Sequence, residues 1–207
     1  SSSEAILKKR EKFFSLDADS VLNRFEYQLY NSNVKTKYTL KPDFSWAASN
    51  VKELINQHVK KKFILLFPFC SPQLPQKKWP YYNDLINILK IKHKNIDIVT
   101  VPGPDEIEMV KKINSTSIVN NDRSALNIRQ LAGAILESSY VIANDTGPAH
   151  MAAHLGKKGL VLFGYHTTPK RVSIETGNFK ALSVSNLNDL TPDEVYSKIK
   201  DQIELIN

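Results

Sequence analysis

A chain of 207 residues, 42% hydrophobic and 24% charged, is long enough for one well-buried domain and has the composition of a folded globular protein. Its longest apolar run, "FILLFPF", is too short to cross a bilayer, and a single cysteine, Cys70, excludes an intramolecular disulfide and makes the reducing cytosol the default. The net charge of +7 admits nucleic acid, an anionic membrane face or a phosphorylated ligand. However, only Arg10, Arg24, Arg123, Arg129 and Arg171 among the 28 basic residues are arginines, which argues against nucleic acid.

Scattered lysines are more simply a solvated surface, with weak attraction to an acidic membrane face left open. No cleavable signal pattern is visible. The chain begins Ser-Ser-Ser without a methionine, so it is expected to be a fragment or a processed product.

Residues 1–58 read as a helical segment and linker. "SEAILKKREKFFSL", "DSVLNRFEYQLYN" and "SWAASNVKELINQHV" carry apolar residues at three- and four-residue spacings, and "TKYTLKPDF" between the last two reads as extended linker. Residues 59–190 then alternate strands with helices. "KFILLF" is a strand and "PYYNDLINILKIK" a helix, with Pro80 suited to the first turn. "IDIVTV" and "DEIEMVKKI" repeat the pair. "SIV" is a brief strand before "SALNIRQLAGAILESS", a helix with a serine start. "YVIAN" leads to "PAHMAAHLG", a short helix closed by Gly156, and "GLVLF" and "KALSV" are the last strands. Residues 191–207 form a C-terminal helix, with Thr191 as N-cap and Pro192 at its first position.

This alternation predicts an α/β fold: a Rossmann-like parallel sheet with helices on both faces. Ligands of such sheets bind beyond the carboxyl ends of the strands, which picks out "FPFCSPQLPQKKW", "VPGPDE", "NDTGPAH" and "FGYHTTPKR".

In "NDTGPAH", Gly147 allows a tight turn and Pro148 is pre-set for a first helical turn, whose free N–H groups and partial positive charge suit a phosphate. Thr146 can cap that helix or donate its hydroxyl to a phosphate oxygen. A carboxylate beside a phosphate is repulsive, so Asp145 answers either sugar hydroxyls or the ordinary needs of a helix start. His150 and His154 share a helical face, but Met151 stands where a zinc-protease motif has glutamate, and packing at the helix start is the simpler reading. Ser71, Lys77 and Lys78 follow the first strand, where a lysine can neutralise a diphosphate and is otherwise merely solvated. Trp79 reads as a packing residue. After the second strand, Asp105 or Glu106 suits a ribose diol or a helix start. His166, Thr167, Thr168, Lys170 and Arg171 make a polar, basic loop in which no single residue stands out. The glycine-rich fingerprints of dinucleotide and P-loop proteins are absent.

Taken in order, these loops resemble the donor-binding half of the heptosyltransferases, glycosyltransferase family nine. "NDTGPAHMAAHLGKKGLVLFG" is similar to the family's D-T-G-x-x-H motif, small-residue helix and L-F-G strand. "KKWP" and "GPDE" stand where the family has K-x-W-P and a glycine-led acidic turn. The resemblance covers roughly residues 60 to 205 and implies the C-terminal domain of a GT-B glycosyltransferase, with residues 1–58 as the tail of a missing N-terminal domain. It implies inverting transfer of heptose, or a related sugar, from an ADP-sugar to a lipopolysaccharide core acceptor. Lys77 would meet the donor phosphates near Ser71, and the backbone around Thr146, Gly147 and Pro148, with His150, would hold the diphosphate. Asp145 would face the sugar, Glu106 the adenosine ribose and Leu126 the adenine. The resemblance implies no cofactor and no metal, a cytoplasmic enzyme with contact at the inner membrane, no nucleic acid, and a general base in the missing domain. "FPFCSP" departs from the family by lacking a glycine common there. A non-catalytic nucleotide-sugar-binding module and another GT-B enzyme, such as a sugar-nucleotide epimerase, are the alternative readings.

Overall fold

The apolar runs assemble into one sheet. A computed structural model describes residues 20–206. In it β1 (Lys62–Phe67), β2 (Ile96–Thr100), β3 (Thr116–Ser117), β4 (Tyr140–Asn144), β5 (Gly159–Phe163) and β6 (Phe179–Ser183) pair in the order β3-β2-β1-β4-β5-β6. Every pairing is parallel, with Ile64 opposite Ile98 on one side of β1 and Leu66 opposite Ile142 on the other. The helices are α1 (Val21–Asn31), α2 (Lys52–His58), α3 (Tyr82–Lys92), α4 (Ile128–Glu137), α5 (Gly147–His154), α6 (Pro169–Val172) and α7 (Pro192–Glu204). The helix read over "SEAILKKREKFFSL" lies outside the described residues.

Parallel strands need crossovers, and the crossover helices cover both faces of the sheet, so its central strands β1, β4 and β5 are almost wholly buried and apolar on both sides. In β1, Phe63, Leu65 and Phe67 join Ile55 of α2, Ile135 of α4 and Ala149 and Ala152 of α5 in one buried cluster. Ile64 and Leu66 point the other way, into a cluster with Leu85 and Leu89 of α3 and Val195, Ile199 and Ile203 of α7. Each of these Leu, Ile, Val and Phe side chains contributes about 1.5–3 kcal/mol of transfer free energy. Among the described residues no helix is long and apolar enough to cross a membrane.

Four local readings need correction. "SWAASNVKELINQHV" is a 3-10 turn at Ser45–Ala47 and then α2, not one helix. Ser49 is recruited elsewhere, its N–H donating to Arg129 O at 2.9 Å, and the Asn50 side chain accepts from Lys52 N at 3.1 Å, restarting the helix. "DEIEMVKKI" forms two 3-10 turns, Pro104–Glu106 and Met109–Lys112, because Glu106 folds back on Gly103 N and Val110 is the only buried residue of the second turn. The N-cap of α4 is Asn127, accepting from Arg129 N and Gln130 N, whereas Ser124 bonds to Asp122. Finally, the loop after β5 holds the short α6, capped by Thr168 on Arg171 N at 3.3 Å. Two boundaries also shift: α3 begins at Tyr82 with Tyr81 as its N-cap, so Pro80 precedes the helix rather than opening its first turn, and β3 is Thr116–Ser117 rather than the "SIV" run. Gly156 ends α5 at φ 74°, and Thr191 and Glu194 form a reciprocal cap at the start of α7.

The opposite pole, where the strands begin, gathers helix C-termini. Lys60 Nζ donates to Asn56 O, Lys61 Nζ to Lys94 O at 2.8 Å, Lys62 Nζ to Ile206 O at 2.9 Å and Lys157 Nζ to Leu136 O at 2.9 Å. These carbonyls end, or lie just beyond, α2, α3, α7 and α4, where cations offset the helix dipoles.

Candidate functional site

The chain leaves β1 toward β2 on one side and leaves β4 toward β5 on the other. The loops beyond β1 and β4 therefore diverge, and a crevice opens between them. A cavity of about 220 Å³ lies there, lined by Ser71, Glu106, Thr146, Gly147 and Pro148 together with Cys70 and the loop after β1. Segments far apart in sequence meet at this cavity because three strand ends supply its walls.

Asn144, the last residue of β4, ties these segments together. It is fully buried, its Oδ1 accepts from Trp79 N at 3.2 Å and Tyr82 Oη at 3.3 Å, and its Nδ2 donates to Pro68 O at 2.9 Å. One amide thus fixes the loop after β1, the entry to α3 and the end of β4. Trp79, also fully buried, packs edge-on against Tyr82 and donates its indole N–H to Leu190 O at 2.8 Å. It is a packing residue, as its position suggests.

Asp145 follows at once. Its side chain is only 2% exposed, yet it is surrounded by donors: Lys77 Nζ reaches Oδ2 at 2.6 Å, His166 Nε2 reaches Oδ2 at 3.1 Å, and His150 Nε2 reaches Oδ1 at 3.3 Å. Burial alone pushes this carboxyl up. The hydrogen bonds from His150, Lys77 and His166, with the lysine charge, more than offset it and hold the carboxyl well below the usual range. Lys77 reaches the carboxylate from the 3-10 turn Pro75–Lys77, and its ammonium does not line the cavity. His150 and His154 part company: His150 joins Asp145, while His154 borders a separate groove beside Ser20 and Ser173.

The remaining sequence candidates are spread around the crevice. Thr146 is the extended N-cap of α5 but makes no side-chain cap; its hydroxyl donates to Asn144 O at 3.3 Å. A Cβ on Gly147 would project into open space, and Pro148 occupies the first turn. Ser71 accepts from Gln73 N at 3.4 Å. Glu106 has Oε2 on Gly103 N at 2.7 Å, and burial raises its carboxyl despite that bond. Leu126 is buried in the apolar cluster with Val101 and Ile118 and does not line the cavity.

Sequence reasoning passed over Asn144 and named His166 only as one of several residues of its loop. A polar amide closing the apolar run "YVIA" was a usable signal for the first. The histidine stood in a loop already picked out by its place after a strand, but nothing in its residue type set it apart from its polar neighbours.

The arrangement can take an anion. A helix start faces the cavity, and the buried carboxylate one residue before that start fixes a lysine and two histidines in place. Comparison with known proteins agrees on the kind of protein. The lipopolysaccharide core heptosyltransferase OpsX of Haemophilus influenzae is 30% identical over 110 residues, 51% of this chain and 31% of that protein. The E. coli heptosyltransferase WaaC with ADP superposes with a TM-score of 0.58 at 17% identity, over 75% of this chain and 50% of that one. E. coli ADP-heptose lps heptosyltransferase II gives 0.60 at 17% identity, over 83% and 53%. The chain thus spans a third to a half of the length of these relatives. The family model for glycosyltransferase family 9 (heptosyltransferase) matches residues 10–200, and the chain belongs to that family.

Proposed function

We propose that this chain supplies the donor site of a glycosyltransferase that moves heptose, or a related sugar, from an ADP-sugar to a lipopolysaccharide core acceptor with inversion. The observation that carries this reading is the cavity at the β1/β4 crevice, faced by the start of α5, with Asp145 one residue before that start and Lys77 held on its carboxylate. The solved WaaC relative holds ADP, and the curated relative acts on lipopolysaccharide core.

In this reading the diphosphate lies against the N–H groups around Thr146 and Gly147, and Lys77 neutralises the charge that develops as ADP leaves. Asp145 faces the sugar, Ser71 and His150 border the phosphates, Glu106 takes the ribose diol, and Leu126 lies on the adenine side. An acceptor hydroxyl attacks the anomeric carbon from the face opposite the departing ADP. Its general base is assigned to no residue of this chain but to the other half of a two-domain GT-B enzyme, working in the cytoplasm against the inner membrane. Residues 59–190 are the nucleotide-sugar-binding unit.

Titration calorimetry with ADP, UDP and GDP tests the donor. Preference for ADP supports the reading. Preference for UDP redirects it toward other nucleotide-sugar enzymes, and no binding by the folded chain removes it.

A further inference from the structure

We propose that His166 is a positioning residue for the nucleotide-sugar site, holding the Asp145 carboxylate in place while Lys77 transfers from that carboxylate to the donor diphosphate. This inference rests on the donor-site reading above.

Among its three donors, Asp145 meets one that differs in kind from the others. The Lys77 and His150 side chains are 22% and 32% exposed, whereas that of His166 is 5% exposed and stacks on Phe163 with ring centroids 5.8 Å apart and planes 16° from parallel. Lys77 is a point charge on a flexible four-carbon stem, free to swing once a stronger anion arrives. His166 is fixed from inside the fold.

Both share one oxygen, Oδ2. If a diphosphate draws Lys77 away, Oδ2 keeps its bond from His166 Nε2, and the carboxylate stays satisfied. Without His166, release of Lys77 would leave that oxygen of a buried carboxylate bare, so the lysine would be locked to Asp145 and lost to the ligand. The carboxylate is ionised and accepts only, so Nε2 is the protonated nitrogen. The other ring nitrogen, Nδ1, is buried and has no hydrogen-bond partner among the described residues. The bond to Asp145 is therefore the one polar contact that substitution of this ring removes.

The test compares wild type with Lys77→Met, His166→Leu, His166→Gln and the Lys77→Met/His166→Leu double variant, by thermal unfolding without ligand and by calorimetry with ADP. Without ligand, the double variant is expected to lose more in midpoint than the two single variants together, because only then is Oδ2 bare. With ADP, His166→Leu is expected to bind about tenfold more weakly and His166→Gln, whose amide N–H reaches much as Nε2 does, to recover to within about threefold. Additive midpoints, ADP binding by His166→Leu equal to wild type, or no recovery in His166→Gln would each overturn the proposal. If wild type binds no ADP, the donor reading falls and the role toward the diphosphate with it. A synergistic unliganded cycle in that case identifies the donor reading, not the hold on Asp145, as the part that failed.

Discussion

The side chain of Asn144 and the backbone N–H of Trp79, 65 residues apart in sequence, are joined by a buried 3.2 Å hydrogen bond at the point where β4 ends and the α3 approach begins. The Asn144 amide binds the loop after β1 to the start of α3, since it also meets Tyr82 and Pro68. Asn144→Ala should therefore cost about 2–4 kcal/mol, because it strands a backbone N–H, a phenol and a carbonyl away from water. Denaturant melts read the loss directly. A variant within about 0.5 kcal/mol of wild type would show that water replaces the amide.

Asp145 predicts an acid limb to stability. Its folded-state carboxyl titrates below the unfolded one, so in between the unfolded chain binds the extra proton and stability rises with pH. The contribution is complete above about pH 5 and is lost as pH falls through the unfolded range, about 4, toward the folded value. Asp145→Asn, which removes the ionised partner of Lys77, should cost about 3 kcal/mol near neutrality. The gap from wild type should narrow steadily between about pH 5 and about pH 3. A gap constant across that range, in denaturation measured at each pH, would mean that the carboxylate contributes no linkage.

Gly147 separates folding from binding. An added Cβ meets nothing within 4 Å and alanine favours helix, so Gly147→Ala should keep stability within about 0.5 kcal/mol or raise it. The same methyl would stand where the proposed diphosphate approaches the backbone, and ADP affinity should drop by about tenfold or more. Unfolding and calorimetry on one preparation give both answers. Unchanged affinity would place the phosphates elsewhere.

Gly133 makes the opposite forecast. On α4 it lets the Ser49 carbonyl approach so closely that a Cβ would lie 2.1 Å from that oxygen and 3.0 Å from Val51 Cγ2. Gly133→Ala must move backbone and should cost about 1–3 kcal/mol, despite alanine's better helix propensity. A midpoint at or above wild type would show that the 49–51 segment yields easily.

The sheet was legible because β1, β2, β4 and β5 are short apolar runs bounded by polar or turn residues, and the alternation of strand with helix leaves few arrangements. Helix ends set by local chemistry, such as Thr191 with Glu194, were legible too. Part of what was not legible depends on distant partners, as where Ser49 leaves the helical path for Arg129; the turn that Glu106 closes on Gly103 is local, but the same residues read equally well as a helix. In the candidate site the motif around Asp145 could be found by its residue types. The convergence of Lys77 and His166 on one carboxylate oxygen could not, because it requires β1 and β5 to flank β4.

The lysines at the strand-start pole change the meaning of the chain's basicity. Lys60, Lys61, Lys62 and Lys157 point their ammonium groups at carbonyls of their own fold. Part of the isoelectric point of about 9.3 is thus a record of how parallel α/β architecture terminates its helices. Chemical neutralisation of these amines, by acetylation for example, should loosen helix ends far from the crevice before it alters anything the crevice binds.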